Sequence, residues 1–272
     1  METVSLFRTG KYSLKWVKDF YTQADIWWGP DAGQEYYSGR IESIERLCGP
    51  GMKRILELGA GSGAVAAEIA RSGHSVVAVE LTSAIHQAQV LNQENWKGSL
   101  TALEADFYTV ELDGRFDVIC YWDGFGLGSD GDQRQLLQRI AREWLAPGGS
   151  VLIDVFNPVR FTRHADEAEI LPPLKGVPGS VEMLHKCHFD PLHCRWIDEW
   201  QPTAHPAQAL AQTVRCYTPA DFVLLLQNTG LALRRMEVDG EALDPHGNDI
   251  ITSGPLMEAY SYLVVLQADR SS

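Results

Sequence analysis

Several features that would indicate a membrane or secreted protein are missing from this chain. No apolar run approaches the roughly 20 residues of a membrane-spanning helix, and residues 1–10 lack the apolar core of a signal peptide. Only five cysteines occur among 272 residues, which does not suggest a disulfide framework. We therefore expect a protein of the reducing cytoplasm that binds no membrane.

The chain also has little positive charge and no basic cluster. Its formal net charge is −13, and an acidic chain is a poor candidate for binding the phosphates of nucleic acids or anionic lipids. We expect a small-molecule substrate and no nucleic-acid partner. The sequence does not indicate an oligomeric state.

Residues 55–63 form the most informative segment that the chain does contain. An apolar run containing the acidic Glu57 leads into the alternating glycines Gly59, Gly61 and Gly63, and residues 64–70 read as a helix. Strand, glycine turn and helix is the geometry that brings a backbone close to an adenosine-type ligand. Glycine suits such a turn because it tolerates positive φ and has no side chain to hold the ligand away.

Apolar strands and helices alternate through the middle of the chain. Strands are predicted at 54–58, 75–81, 100–106, 116–122 and 150–156, and helices at 63–71, 83–95 and 132–145. Near-continuous apolar strands of this kind indicate a parallel sheet covered by helices on both faces.

The segments on either side of this region have a different character. Residues 11–29 and 37–47 are predicted helices, and the first is rich in aromatics, including Tyr12 and Trp16. After Asn157-Pro158 the alternation stops. A loop is predicted at 158–180, strands at 181–189, 194–200 and 213–217, a helix from Thr218 to Asn228, and final strands at 231–238 and 259–267.

The acidic-x-Gly-x-Gly-x-Gly pattern resembles motif I of the class I methyltransferases, which bind S-adenosylmethionine (SAM). Acids end the next two strands at Glu80 and Asp106, Phe107 follows, and Pro147-Gly148-Gly149 precedes a strand as in that family. The resemblance covers about 50–160 and resumes at 218–229. It implies an α/β, Rossmann-like class I methyltransferase fold with a mostly parallel seven-stranded sheet, helices on both faces and a β-rich insertion after strand 5. We predict a single domain over 1–272, divided into an N-terminal helical lid at 1–49, a SAM-binding core at 50–157, a substrate-covering insertion at 158–216 and a C-terminal part at 217–272.

The resemblance also implies which residues bind SAM. Glu57 and the glycines would lie along the methionine and ribose, Glu80 would accept from the ribose hydroxyls, and Asp106 and Phe107 would hold the adenine. An aromatic lid could contact the sulfonium by a cation–π interaction. The predicted cofactor-binding residues are Tyr21, Trp28, Glu57, Gly59, Ala60, Gly61, Gly63, Glu80, Leu81, Asp106 and Phe107.

Gly59-x-Gly61-x-x-Ala64 also fits the looser dinucleotide fingerprint, but three motifs in register favour SAM. The Asp/Asn-Pro-Pro-aromatic motif of methyltransferases acting on the amino groups of nucleic-acid bases is absent. Two residues are candidates for catalysis. Asp123 lies where the family places residues facing the transferred methyl, so it could orient an amine or accept a proton; the alternative is a turn residue capping the next loop. His164 is a second candidate base.

Residues 185–194 contain three histidines and two cysteines. Their spacing is not a familiar zinc pattern, and strand alternation sends Cys187 and His188 to opposite faces. We predict no metal, and a histidine that faces the substrate as a base is the favoured alternative.

Three functions fit these motifs. The preferred one is SAM-dependent N-, O- or C-methylation of a small molecule. The second is a SAM-consuming enzyme that cyclises the aminobutyrate arm and releases methylthioadenosine, and the third is a non-catalytic SAM-binding protein. Methylation and cyclisation enzymes bind the same SAM molecule, so the motifs do not distinguish these two functions. A non-catalytic SAM-binding protein is disfavoured because all the binding acids are present.

Overall fold

A computed structural model describes residues 14–28, 34–175, 177, 179–247 and 254–269. The helices are α1 (Lys15–Trp28), α2 (Gln34–Cys48), α3 (Ala64–Ser72), α4 (His86–Gln89), α5 (Asp130–Arg139), α6 (Pro158–Arg163) and α7 (Pro219–Leu225). The strands are β1 (Arg54–Leu58), β2 (Ser75–Glu80), β3 (Ser99–Glu104), β4 (Phe116–Phe125), β5 (Leu145–Phe156), β6 (Ala168–Leu171), β7 (Met183–Asp190), β8 (Arg195–Pro202), β9 (Leu210–Arg215), β10 (Leu231–Val238), β11 (Glu241–Leu243) and β12 (Ser261–Ala268).

The larger sheet has the order β11-β10-β12-β5-β4-β1-β2-β3. Strands β3, β2, β1, β4 and β5 are parallel, and β12 is antiparallel to both of its neighbours. The predicted α/β class and mostly parallel sheet are confirmed. Because consecutive strand residues face opposite sides, Ile55 packs in the core against α3, while Leu56 and Leu58 pack in the core on the other face.

Within the described residues this sheet has eight strands where we predicted seven. The additional strand is β11, which pairs with β10 through the contact Val238↔Glu241. Asp239 and Gly240 connect the two strands with φ angles of 50° and 83°. Two positive φ angles match the two-residue turn that an Asp-Gly pair favours, and this pair is the sequence signal for the additional strand.

The smaller sheet has the order β6-β7-β8-β9, and all its pairs are antiparallel. It contains the predicted hairpin and third strand, but it also contains β6, and α6 precedes it, both within the segment predicted as a loop. The sheet attaches to the end of β4, where Arg215 N–H donates to the Gly126 carbonyl at 2.9 Å. Val17, Leu127, Phe156, Trp196 and Val214 form a small core beneath it.

Two predicted helices differ from those observed. The segment 83–95 holds only a 3₁₀ turn at Ser83–Ile85 and the four residues of α4, and Asn92 instead accepts from the Glu94 N–H at 2.9 Å, a local bond that competes with a helix. Helix α5 begins at a Ser129 capping box and continues as a π-helical turn at Ile140–Trp144. No helix of the described part is long and apolar enough to cross a membrane.

Candidate active site

A cleft of about 800 Å³ opens at the carboxyl ends of the parallel strands. Three parts of the molecule enclose it: the loops after β1 to β4, helix α1 and the inner face of the smaller sheet. Its volume is within the roughly 300–1,000 Å³ of small-molecule sites, and its position is where open α/β sheets bind ligands. We call the part next to the β1–β3 loops the cofactor half and the part next to the smaller sheet the acceptor half.

The three glycines of the first loop have different surroundings. All have positive φ, at 64° for Gly59, 54° for Gly61 and 77° for Gly63. A Cβ at Gly61 would meet no atom within 4 Å, and this residue lines the cleft. By contrast, a Cβ at Gly63 would lie 2.5 Å from the Cβ of Ala88. Gly63 is not among the cleft-lining residues, and its position allows α3 to pack closely on the neighbouring turn.

Glu80 ends β2 at the edge of the cleft and is largely buried. Its carboxylate accepts from the N–H of Gly61 at 3.0 Å and from the N–H of Thr82 at 2.9 Å. The same side chain therefore holds the glycine loop against the second strand. Ala60 and Leu81 also line the cleft.

Asp106 and Phe107 lie in the loop that follows β3, and both line the cleft. The Asp106 carboxylate accepts from the N–H of Tyr108 at 2.8 Å, and the Phe107 ring packs edge-on against Tyr121 at 5.5 Å. Arg139 of α5 donates to the Phe107 carbonyl at 2.6 Å. These contacts fix the loop in the position that the resemblance gives to the adenine.

Glu57 is the most unusual group in the cofactor half. Only 2% of it is exposed, and its Oε2 has no hydrogen-bond partner among the described residues. Burial raises the pKa of Glu57 to about 8, against the opposing effect of Arg40. A buried carboxylate that lines a cleft and lacks a donor fits a cationic ligand. Together with the open space at Gly61, this donor set is compatible with SAM.

Asp123 is an exposed residue near the end of β4 that lines the cleft, with φ at 51°. Arg40 of α2 lies behind it: its guanidinium pairs with the buried Asp154, stands 3.5 Å from Asp123 and covers the Trp122 ring at 4.5 Å. Burial raises the pKa of Asp154 to about 6, although Arg40 opposes the shift. Arg40, which comes from α2 and is itself paired with Asp154 of β5, therefore stands beside Asp123 at the edge of the cleft.

The acceptor half contains a hydrogen-bond network that the sequence did not reveal. At its centre is Asp198 of β8, which is 2% exposed. Its carboxylate contacts His185 Nε2, and it accepts from Trp200 Nε1 at 2.7 Å and Gln212 Nε2 at 2.8 Å. Tyr21 of α1 in turn donates to Gln212 Oε1 at 2.8 Å. The network therefore joins α1 to the smaller sheet across the wall of the cleft.

His185 is bound from both sides. Its Nε2 contacts Asp198 and its Nδ1 lies 3.3 Å from Glu169, while its ring stacks on Trp200 at 4.2 Å. Burial lowers the pKa of His185, but its hydrogen bonds to Asp198 and Cys187 outweigh this effect and raise the pKa to about 10. The imidazole is therefore a cation that lies between the carboxylates of Asp198 and Glu169, which is a different role from the substrate-facing base we considered.

Other predicted residues lie elsewhere. His164 does not line the cleft; its Nδ1 pairs with Glu167 at 2.9 Å. Trp28 ends α1, but its side chain is outside the described residues, as is all of Tyr12. The roles of the predicted site residues remain predictions.

The predicted absence of a metal concerns the same hairpin. His185, Cys187 and Asp198 bring ligand-type atoms within 4.8 Å of one another, and His188 is on the opposite face, beside Asp166 at 3.0 Å. The three groups are already joined by hydrogen bonds, with Cys187 Sγ 3.6 Å from His185 Nε2. The sequence pattern had not indicated that Asp198 would join them, because it comes from the next strand.

Arg195 is a buried residue that sequence reasoning also missed. Only 2% of it is exposed. It donates to Thr213 Oγ1 and to the carbonyls of Thr213 and Gly128, each at 2.9 Å. It thereby attaches the smaller sheet to the loop after β4. Arginine is rarely buried without such partners, but no local sequence pattern predicts that a given arginine will be buried.

Comparisons with known proteins establish the family of the chain. A family model described as "Methyltransferase domain" matches residues 34–235, about three quarters of the chain. No curated protein matches the sequence. Among solved structures, the chain is similar to the CcbJ methyltransferase from Streptomyces caelestis (20% identity, 93% of this chain and 96% of that one, TM-score 0.65). It is also similar to an S-adenosylmethionine-dependent methyltransferase from Clostridium acetobutylicum (13%, 93% and 98%, 0.65).

A third similar structure is SAM-bound CalS10, an amino pentose methyltransferase from Micromonospora echinaspora involved in calicheamicin biosynthesis (18%, 92% and 97%, 0.57). At these identities the structures establish the shared fold, and the family model establishes the family. The chain belongs to the methyltransferase domain family and is a SAM-dependent methyltransferase.

Proposed function

We propose that this enzyme transfers the methyl group of SAM to a small molecule bound in the acceptor half of the same cleft. The observation that carries the proposal is the continuity of the cleft, whose about 800 Å³ are lined by the motif residues on one side and by the smaller sheet on the other. A single cavity of this size can hold a cofactor and a second molecule side by side.

In the cofactor half we assign the roles that the motifs imply. Glu80 would accept from the ribose hydroxyls, Asp106 and the Phe107 backbone would hold the adenine, and Glu57 would receive the ammonium group. Gly61 leaves room for close approach of the ligand to the backbone. Bound SAM supplies a methyl group on a sulfonium centre.

The chain's own residues align the acceptor and exclude water. Helix α1 and the smaller sheet form two walls over the carboxyl ends of the strands, so the reacting groups would be held together and screened from solvent. Asp123 is placed to orient the acceptor atom or to take a proton from it. We propose this role for Asp123 and none for His164, because only the former lines the cleft.

Cyclisation of SAM remains the second candidate, because it would use the same cofactor half. It needs no second molecule, however, and so gives no reason for an acceptor half lined by strands β7, β8 and β9. The names of similar proteins also support transfer: one acts on an amino pentose and another is a glycopeptide N-methyltransferase. A small-molecule acceptor is therefore the better explanation.

Product analysis tests this proposal. The purified protein would be incubated with SAM and with small-molecule fractions of a cell extract, and the nucleoside products would be separated by chromatography. We expect S-adenosylhomocysteine that depends on an added fraction, and its loss in Asp106→Ala. Methylthioadenosine formed without any fraction would refute methyl transfer and establish cyclisation.

A further inference from the structure

The walls of the acceptor half are mainly aromatic. Trp122 lies on one side, and the smaller sheet and the segment before β12 supply the rest. The rings pack edge-on: Tyr260 is 5.5 Å from Phe156 and 6.1 Å from Trp196. Such packing fixes the direction in which the rings face. An aromatic face is electron-rich and attracts a cation.

Two carboxylates approach this aromatic chamber from different elements. Asp123 reaches it from the end of β4 and Asp198 from β8. The charges of both acids affect the hydroxyl of Tyr260. Although 47% of Tyr260 is exposed, burial around its hydroxyl raises the pKa, and the charges of Asp198 and Asp123 raise it further. Asp123, Asp198 and Tyr260 therefore line the same cleft, and the charges of both acids reach the Tyr260 hydroxyl.

Three cations near the chamber are paired with acids of the protein. Arg40 is paired with Asp154 and Asp123, and the two nitrogens of His185 contact Asp198 and Glu169. Lys18, on the cofactor side, pairs with Glu104 at 3.1 Å. Lys15 of α1 also lines the cleft and is an exposed residue. Arg40, His185 and Lys18 are therefore already engaged by acids of the protein. The net charge of −13 also favours the approach of cations over anions.

From this arrangement we infer that the methyl acceptor is an amine, which the aromatic walls and the carboxylates of Asp123 and Asp198 bind as an ammonium ion. The inference rests on the proposed function and narrows N-, O- or C-methylation to nitrogen. Aromatic enclosures with nearby acids are a general solution for binding alkylammonium groups. The methylated product keeps the positive charge, so the same chamber accommodates both.

The reaction balances without a further reagent. The ammonium first loses one proton to Asp123, which lines the chamber, and its nitrogen then has a lone pair. That pair forms the new N–C bond to the methyl carbon, while the C–S bond breaks and its electrons stay on sulfur. The products are the methylammonium ion and the neutral thioether S-adenosylhomocysteine, and the proton passes to solvent.

A pair of simple probes tests the inference without knowledge of the natural acceptor. Benzylammonium and benzyl alcohol have nearly the same shape and differ in charge. Their binding to the full-length protein would be measured by tryptophan fluorescence and by calorimetry, with S-adenosylhomocysteine present to fill the cofactor half. We expect benzylammonium to bind at least about tenfold more tightly than the alcohol, the ratio that corresponds to roughly 1.4 kcal/mol.

Variants identify the groups responsible. Asp198→Asn and Asp123→Asn should each reduce the preference for benzylammonium several-fold. Asp166→Asn is the matched control, because Asp166 pairs with a histidine on the opposite face of the same sheet, and it should leave the preference unchanged. Circular dichroism and S-adenosylhomocysteine affinity would confirm that each variant folds.

The outcomes separate this inference from the proposed function. Equal binding of the two probes, no binding of benzylammonium, or an unchanged preference in both carboxylate variants would overturn the amine assignment. S-adenosylhomocysteine formed with a hydroxyl-bearing acceptor would then leave methyl transfer intact. Methylthioadenosine formation would refute methyl transfer itself, whatever the probes do.

Discussion

We predict that the protein releases a proton from Glu57 when SAM binds in the cofactor half. Glu57 is fully buried, its pKa is about 8, and burial is the main cause. At pH 6.5 the ligand-free protein therefore carries Glu57 in its neutral form. If the ammonium group of SAM binds there, it will favour the carboxylate, and the proton must leave when SAM binds.

The size of the effect follows from the pKa difference. Raising the pKa of this carboxyl from 4.5 to about 8 corresponds to a cost of roughly 5 kcal/mol for its ionised form relative to its neutral form. A ligand that restores the ordinary pKa would gain about tenfold in affinity for each pH unit between these two values. At pH 6.5 the α-amino group of SAM stays protonated, because its pKa is near 7.7–8.0. It therefore adds almost nothing to the number of protons released on binding.

Calorimetry measures this proton directly. SAM would be titrated at pH 6.5 in buffers with different enthalpies of ionisation, and the slope gives the number of protons released. We expect release of close to one proton for the wild type and close to zero for Glu57→Gln. The control Glu68→Gln should leave the wild-type value unchanged, because Glu68 pairs with Arg71 and does not line the cleft. Equal release by wild type and Glu57→Gln would refute the assignment of the ammonium to Glu57.

The raised pKa of Glu57 should also make the stability of the ligand-free protein depend on pH. The folded pKa of Glu57 is above its unfolded value, so the folded ligand-free protein binds the extra proton between about pH 4.5 and pH 8. The contribution of Glu57 to stability must then fall as the pH rises through that range. Glu57→Gln should therefore be more stable than the wild type near pH 8.5, as measured by denaturant unfolding of ligand-free protein.

Further substitutions test other parts of the site. Glu80→Ala should weaken SAM binding by roughly 1.5–3 kcal/mol in calorimetry, the value of a hydrogen bond to a charged group; unchanged affinity would reject the ribose role. Gly61→Val should abolish SAM binding in a folded protein, whereas Gly63→Val should lower the melting temperature because its side chain meets α4. Arg195→Met should cost about 2–4 kcal/mol in urea unfolding, since buried acceptors lose their donor. Elemental analysis should find no stoichiometric zinc; one zinc per chain, lost in Cys187→Ser, would overturn that prediction.

The cofactor half could be predicted from the sequence because its residues act locally. A strand, a glycine turn and a helix occupy about 20 consecutive residues, and an acid at the end of each following strand marks the same edge of the sheet. Glu57, Gly61, Glu80, Asp106 and Phe107 all line the cleft as these rules imply. Gly63 does not, because a glycine can be required by packing as well as by a ligand, and the pattern is the same.

The acceptor half could not be predicted because its contacts join distant segments. The hydroxyl of Tyr21 is 191 residues from Gln212 along the chain, and Asp198 meets His185 only because β7 and β8 pair in one particular register. A register shifted by one residue would place Asp198 on the outer face. The sequence contains the residues of the network but not the pairing that brings them together.

Asp198 links the acceptor half to α1, a helix of the predicted lid. Its carboxylate receives the amide N–H of Gln212, so the Gln212 oxygen must face the opposite way, toward Tyr21. The orientation of one buried acid therefore determines how α1 attaches to the smaller sheet. A ligand that draws the Asp198 carboxylate toward itself would also change the support of α1, which covers the cofactor half. We therefore expect acceptor binding to affect the attachment of α1 through Asp198, Gln212 and Tyr21.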